Sequence, residues 1–116
     1  MDQRDELLFA ALATAAERRM GNFNPQELAN TAWAFATVGQ KDEPLFAAVA
    51  MAAEQRVRIF NPQDIASIAW ALATLGQKDE LLFAALAMAA ERRMGDFKPQ
   101  ELTNTAWAFA MLGRKD

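Results

Sequence analysis

Apolar residues, most of them alanine, recur along the chain at intervals of three and four, with polar residues between them. This is the period of an α-helix, and it predicts a helix over residues 5–20, here called helix A. Four residues later a second such stretch, helix B, covers residues 25–38, where Leu28, Ala32 and Phe35 cluster on one side. Links this short force neighbouring helices to run antiparallel, so the pattern predicts helical hairpins.

The hairpin pattern occurs three times with a period of 37 residues. The landmarks that share this period are Trp33, Trp70 and Trp107; Pro25, Pro62 and Pro99; and Gly39, Gly76 and Gly113. The repeats 5–41, 42–78 and 79–115 follow one another without insertion, so residues 1–116 form one segment without an internal boundary. We therefore predict an all-α fold, an α-solenoid of three 37-residue helical hairpins with six helices. Proline and glycine in every repeat exclude one long coiled coil.

Local signals predict where the helices begin and end. Asp5 is a suitable N-cap for the first helix A, and Gly21 is a suitable stop in the left-handed region. Asn24 is the expected N-cap of the first helix B, with Glu27 completing a capping box. Lys98 replaces this asparagine in the third repeat, so we expect that helix start to be weaker by about 1 kcal/mol.

The composition removes most catalytic and metal-binding chemistry. The chain has no cysteine, no histidine and no tyrosine, and its only serine is Ser67. The commonest general base, nucleophile partner and metal ligand are therefore missing, and chemistry would rest on carboxylates alone. We expect no enzyme activity, no catalytic residue, no metal site and no cofactor. The net charge of −3 argues mildly against strong nucleic-acid binding, although one face can still carry a basic stripe.

Neither a membrane span nor a targeting segment is expected in this chain. No apolar run approaches the roughly 20 residues that a transmembrane helix needs. The first residues include Asp2, Asp5 and Glu6, whereas a secretory signal needs an apolar stretch there and a transit peptide is poor in acidic residues.

The segment PQELANTAWAFATVG, with its copies PQDIASIAWALATLG and PQELTNTAWAFAMLG, resembles the second helix of the octotricopeptide repeat family. Similar repeats occur in organellar proteins and in relatives of FAST-kinase-like RNA-processing factors. The resemblance covers essentially the whole chain. It implies an RNA-binding α-solenoid in mitochondria or chloroplasts, acting in RNA stability, processing or translation. The alternative is a protein-interaction scaffold of the tetratricopeptide type, which the acidic balance favours.

If RNA binds, the polar side of helix B offers candidates for contacts to bases. Asparagine, serine and glutamine can hydrogen-bond base edges, and they recur here once per repeat. The candidates are Gln26, Asn30, Gln63, Ser67, Gln100 and Asn104. The alternative is a solvated face without function.

Helix A offers a rival stripe of residues on one side, and the sequence does not decide which helix lines the concave side. Its members are Ala11, Thr14 and Arg18; Ala48, Met51 and Gln55; and Ala85, Met88 and Arg92.

The three tryptophans have two possible roles, as stacking platforms for bases or as core between repeats. Their position beside alanines such as Ala29 and Ala36 on the helical wheel favours the core. Trp70 should then be the most buried of the three, because only its repeat has a neighbour on both sides.

Basic residues recur at two positions of the repeat and form ladders that an RNA backbone could follow. These phosphate candidates are Arg19, Arg56, Arg93, Lys41, Lys78 and Lys115. The alternative role is to complement the C-termini of helices.

The first and last repeats are not polarised as solenoid caps normally are. We therefore expect the chain to self-associate end to end, or to belong to a longer array that covers both ends.

Overall fold

The computed structural model describes residues 3–77 and 79–113, with the side chains of residues 3 and 4 outside the description. Within these residues the chain forms six α-helices and no strand, which confirms the predicted all-α fold. The helices are α1 (Gln3–Arg19), α2 (Pro25–Thr37), α3 (Glu43–Arg56), α4 (Pro62–Thr74), α5 (Glu80–Arg92) and α6 (Pro99–Leu112). A single 3₁₀ turn joins the two helices of each hairpin, at Met20–Asn22, Val57–Ile59 and Met94–Asp96.

The hairpins stack so that α1, α3 and α5 form one layer, the A layer, and α2, α4 and α6 form a second, the B layer. The helices of the B layer approach one another much more closely than those of the A layer. Small side chains permit this approach, since Ala29, Ala32 and Ala69 are all buried. An array whose B helices are closer together than its A helices bends towards the B layer, which therefore lies on the inner side.

The hydrophobic core runs between the two layers and is most complete around the middle hairpin. Phe46 and Val49 from α3, Phe60 from the second link and Ile65 and Ile68 from α4 have no exposed surface. Burying each such side chain stabilises the fold by roughly 1.5–3 kcal/mol relative to leaving it in water. The middle hairpin has a neighbour on both sides, so it contributes the largest share of the buried residues.

The predicted N-cap side chains operate at four of the six helix starts, those of α2, α3, α4 and α5. In α2 the Asn24 side chain accepts from the backbone N–H of Glu27 at 2.8 Å, and the Glu27 carboxylate accepts from the N–H of Asn24 at 2.9 Å. Asp42 and Asp79 cap α3 and α5 through the N–H groups of residues 45 and 82. The prediction for Asp5 was wrong, because α1 begins at Gln3 and Asp5 lies within its first turn. The start of α6 has the expected defect, since Lys98 supplies no side-chain acceptor.

The capping box of α4 contains the most perturbed carboxyl group among the described residues. Asp64 accepts from the N–H of Asn61 at 3.1 Å and is buried, unlike the matching Glu27 of the first repeat. Burial raises the pKa of Asp64 above its ordinary value, and the hydrogen bond from Asn61 offsets only part of this shift.

The links between hairpins end the preceding helix differently from the links within hairpins. Gly39 and Gly76 adopt the left-handed conformation with φ of 71° and 66°. The residue after each of these glycines donates its N–H back to a carbonyl in the last turn of the helix, Gln40 to Phe35 at 2.9 Å and Gln77 to Leu72 at 2.8 Å, as in a Schellman motif. The prediction of a left-handed stop at Gly21 was wrong, because helix A continues into the 3₁₀ turn Met20–Asn22 and ends at the extended Phe23.

Candidate nucleic-acid interface

One face of each B helix carries polar side chains and a tryptophan, and it is open to solvent. We call this surface the B face. Its members occupy positions i, i+4, i+7 and i+11 of each helix, which lie on one side at 3.6 residues per turn. They are Gln26, Asn30, Trp33 and Thr37; Gln63, Ser67, Trp70 and Thr74; and Gln100, Asn104, Trp107 and Met111. None of these twelve residues is buried.

The expectation that the tryptophans belong to the core was wrong for Trp33 and Trp107, which are 50 % and 44 % exposed. Trp70 is partly buried and packs against the core. The reason lies in the spacing, since seven residues separate Gln26 from Trp33 and seven residues are nearly two helical turns. The tryptophan therefore lies above the glutamine on the polar face. Trp70 is the least exposed of the three, as the position of its repeat suggested.

Trp33 and Trp70 form a pair that links the first two hairpins. Their ring centroids are 6.3 Å apart and their planes are inclined by 33°. This separation lies within the 4.5–7 Å range of favourable aromatic pairs. Trp33 is half exposed and Trp70 is partly exposed, so the pair provides an apolar surface on an otherwise polar face.

A groove of about 390 Å³ begins at this pair and runs between α4 and α6. Its lining residues, which define the groove here, are Trp33, Gln63, Ala66, Ser67, Trp70, Lys98, Gln100, Glu101 and Asn104. Two charges of opposite sign, on Lys98 and Glu101, are the only formal charges in this lining. The groove therefore offers aromatic surface and neutral hydrogen-bonding groups rather than a strong positive field.

The groove brings together four of the six predicted base-contact residues, Gln63, Ser67, Gln100 and Asn104. The remaining two, Gln26 and Asn30, are exposed on α2 and lie outside the groove lining. An amide can both donate and accept, and a hydroxyl can do the same, so this set can pair with several kinds of polar edge.

Sequence reasoning missed Lys98 and the paired tryptophans as groove residues. Lys98 was interpreted only as a poor helix cap, although it stands two residues before Gln100. Its backbone N–H donates to Glu101 at 2.9 Å, which holds the start of α6 while the side chain lines the groove. The signal for it was the replacement of an asparagine by a cation beside the polar stripe.

The predicted phosphate contacts do not form one uniform ladder. Arg19 and Lys41 are exposed. Arg56 is half-buried and donates to the carbonyl oxygens of Ala52 at 3.2 Å and of Gly21 at 2.6 Å. Arg93 lies 4.0 Å from the carboxylate of Asp96. Lys78 and Lys115 lie outside the described residues.

The geometry of Arg56 matches the alternative role of complementing the C-terminus of a helix. Its guanidinium donates to a carbonyl at the end of the preceding helix A. This contact joins the first two hairpins. Whether the remaining basic residues contact phosphate stays a prediction.

The rival stripe on helix A also lies at the surface in part. Met51 is 64 % exposed and Met88 is exposed too, while the matching Thr14 donates to the carbonyl of Ala10 at 3.1 Å. Neither the groove between α4 and α6 nor a second groove between α5 and α6 is lined by this stripe. The stripe thus offers exposed apolar side chains outside both grooves.

Two further features bear on the kind of site. In the described part of the chain, no three potential metal-binding side chains come together. No helix there has the length and apolarity needed to cross a membrane.

The fold and this surface define the chain as an α-solenoid of helical hairpins with a tryptophan-bearing polar inner face. Residues 2–115 match the family model described as RNA-editing substrate-binding complex 6 protein, and the chain belongs to this family. The family is RNA-associated, so the coarse part of the expected relationship is confirmed, whereas the match is not to the octotricopeptide family. A search of curated proteins found no match.

Proposed function

We propose that the chain binds single-stranded RNA along the B face, within an RNA-editing or RNA-processing assembly. The observation that carries this proposal is the partly exposed tryptophan pair, Trp33 and Trp70, beside a groove lined by amides and a hydroxyl. Bases stack on aromatic rings with about 1–3 kcal/mol each, and amides and hydroxyls then reach their edges. The family, named for an RNA-editing substrate-binding complex, supports the same class of ligand.

The ligand is single-stranded rather than double-stranded because stacking on a tryptophan requires an unpaired base. The base edges of duplex RNA are paired, and its recognition depends mainly on phosphate and 2′-hydroxyl contacts. The B face lacks the dense positive charge that such contacts need. We therefore expect modest affinity with a shallow salt dependence, because few phosphates are neutralised.

The proposed location is an organelle, with the mitochondrion preferred over the chloroplast. RNA-editing complexes of kinetoplastids are mitochondrial, which supports this preference.

A second candidate function is a protein-interaction scaffold, which the exposed apolar side chains of the A layer favour. Leu81 and Met51 protrude from α5 and α3 and would suit contacts with an apolar partner surface. The two functions use opposite layers, so each function can be tested separately on the same protein.

The decisive experiment uses the tryptophans as reporters. All three lie on the B face and the chain has no tyrosine, so intrinsic fluorescence reports this surface alone. Titration with single-stranded RNA of about 10 nucleotides should quench the emission at low salt. Trp33→Leu should weaken binding, measured with end-labelled RNA, by roughly 5- to 150-fold, which corresponds to about 1–3 kcal/mol.

Controls distinguish base stacking from unspecific attraction. Met51→Ala changes an equally exposed residue of the A layer and should leave RNA affinity unchanged. Asn104→Ala and Ser67→Ala should alter the preference among homopolymers more than Asn30→Ala, which lies outside the groove. If an inorganic polyphosphate competes as well as RNA, stacking is refuted. If no RNA binds, the scaffold function replaces this proposal.

A further inference from the structure

The first hairpin exposes positions that the other two hairpins bury. Two apolar positions of helix A carry leucine or valine in each repeat. In the second and third repeats these side chains are fully buried; they are Leu45, Val49, Leu82 and Leu86. In the first repeat the same positions are Leu8 and Leu12, which are 54 % and 45 % exposed. The difference lies in position alone, because no hairpin precedes α1 within the described chain.

The last hairpin exposes the complementary surface. Leu102 on α6 is 40 % exposed, whereas the matching Leu28 and Ile65 have no exposed surface. Around Leu102 lies an apolar groove of about 290 Å³ between α5, the turn Met94–Asp96 and α6. Here it is called the end groove, and its apolar lining includes Ala87, Ala90, Met94, Phe97, Leu102 and Phe109.

The two internal junctions show what covers such a groove. Helix α3 packs against α1, α2 and the turn Met20–Asn22, and α5 packs against α3, α4 and the turn Val57–Ile59. In both cases the helix A of one hairpin lies in the groove formed by the two helices and the turn of the preceding hairpin. The end groove is the third member of this series, built from equivalent residues.

We propose that the end groove binds helix α1 of a second copy of this chain, so that copies associate head to tail. Leu8 and Leu12 of one copy then take the places that Leu82 and Leu86 hold against the second hairpin. The occupant is a copy because its α1 carries the same residue types at the contact positions as α5, with an identical segment from 79 to 87 as from 5 to 13. The contact is heterologous and propagates unless the rotation between copies closes a ring.

Two exposed groups gain partners in this arrangement. At the first internal junction Arg56 donates to the carbonyl of Gly21 at 2.6 Å. By the same register, Arg19 of one copy reaches the carbonyl of Gly95 in the other. Trp33 of one copy also comes beside Trp107 of the other, where Trp33 and Trp70 already pair within one chain. Association therefore lengthens the tryptophan row, although it does not depend on RNA binding.

Thr105 makes this contact weaker than the second internal junction. It stands at the end groove where the second repeat has Ile68 and the first repeat has Thr31, so less apolar surface is buried there than against Ile68. Its hydroxyl is buried without a hydrogen-bond partner among the described residues. A contact between copies also depends on concentration, so association is tested at protein concentrations well above those of a fluorescence titration.

Sedimentation over a concentration series from about 1 to 500 µM tests the proposal. The weight-average mass of the wild-type chain should rise from 12.8 kDa to more than twice that value. Leu12→Glu, which damages only the first end, and Leu102→Glu, which damages only the last, should each remain near 12.8 kDa. An equimolar mixture of the two variants should form a 1:1 dimer and stop there, since each copy retains one intact end.

Met51→Glu is the matched control, because it adds the same charge to an exposed residue away from both ends, and it should associate like the wild type. Circular dichroism checks that each variant is folded, and Leu8→Glu replaces Leu12→Glu if the latter loses helicity. A wild-type chain that stays at 12.8 kDa throughout refutes the proposal. So does a mixture that fails to dimerise, or a control that is as monomeric as the end variants.

Discussion

The middle hairpin and the two flanking hairpins share one repeat pattern, yet they contribute differently to the stability of the fold. In the middle hairpin both helices are covered on two sides, and Leu45, Phe46 and Ile65 have no exposed surface. The flanking hairpins each leave one side open, as Leu8 and Leu102 show. In a stack of repeats, stability depends on the junctions between neighbours as much as on the repeats themselves. The comparison teaches that a residue's contribution here is set by its place in the array.

The largest expected effect on stability concerns the same leucine-to-alanine change at two equivalent positions of helix A, Leu45 and Leu8. Leu45→Ala removes a fully buried side chain and should lower the free energy of unfolding by about 2–5 kcal/mol. Leu8→Ala makes the same change at the equivalent, half-exposed position and should cost less than about 1 kcal/mol. Urea denaturation at low protein concentration measures both. Equal losses would show that the hairpins do not stack as described.

A smaller effect is expected from the arginines. Arg56→Ala breaks the hydrogen bonds to Gly21 and Ala52 and should lower the free energy of unfolding by about 1.5–3 kcal/mol, the range of hydrogen bonds to charged groups. Arg19→Ala, at the same position of the first repeat, should change stability by less than about 0.5 kcal/mol. If the two variants unfold at the same urea concentration, the contact between the hairpins contributes nothing.

The smallest effect concerns pH. Burial raises the pKa of Asp64, so the folded state binds the proton more tightly than the unfolded state does. The contribution of Asp64 to stability is therefore greatest at low pH, and it declines as pH rises from about 4 through the raised pKa of the folded state. Asp64→Asn removes this pH-dependent contribution to stability. The stability of the variant relative to the wild type should thus increase over that range and then level off.

Urea denaturation at a series of pH values from about 3 to 7 measures this difference. Asn30→Ala, an uncharged change at an exposed site, should shift the curve without altering its shape. A difference between Asp64→Asn and wild type that stays constant with pH would contradict the role assigned to the buried carboxyl.

The helices and their starts could be predicted because their signals are local. Asn24 and Glu27 act across three residues, and Pro25 fixes the first turn by its own ring. Gly21 was predicted wrongly because a glycine permits a left-handed stop without requiring one, and the chain takes a 3₁₀ turn instead. The sequence also contained the signal for the B face, since Trp33 follows Gln26 by seven residues.

Other features depend on neighbours that no local pattern reveals. Arg56 meets Gly21 across 35 residues of chain, and only the stacking of hairpins brings them together. Leu8 and Leu45 have the same side chain in the same repeat position, so their different exposure cannot be read from either residue. The groove likewise requires Lys98 and Trp33, which come from different hairpins.

Gly39 and Gly76 also fix the step of the array. Each closes a B helix in the left-handed conformation, and a Cβ there would meet no atom within 4 Å, so only the backbone requirement keeps these positions glycine. The chain therefore passes from one hairpin to the next through the same backbone turn at both junctions. These turns connect hairpins whose B helices carry the tryptophans, so in the proposed complex their conformation helps to set how far apart the stacked bases of a bound strand lie.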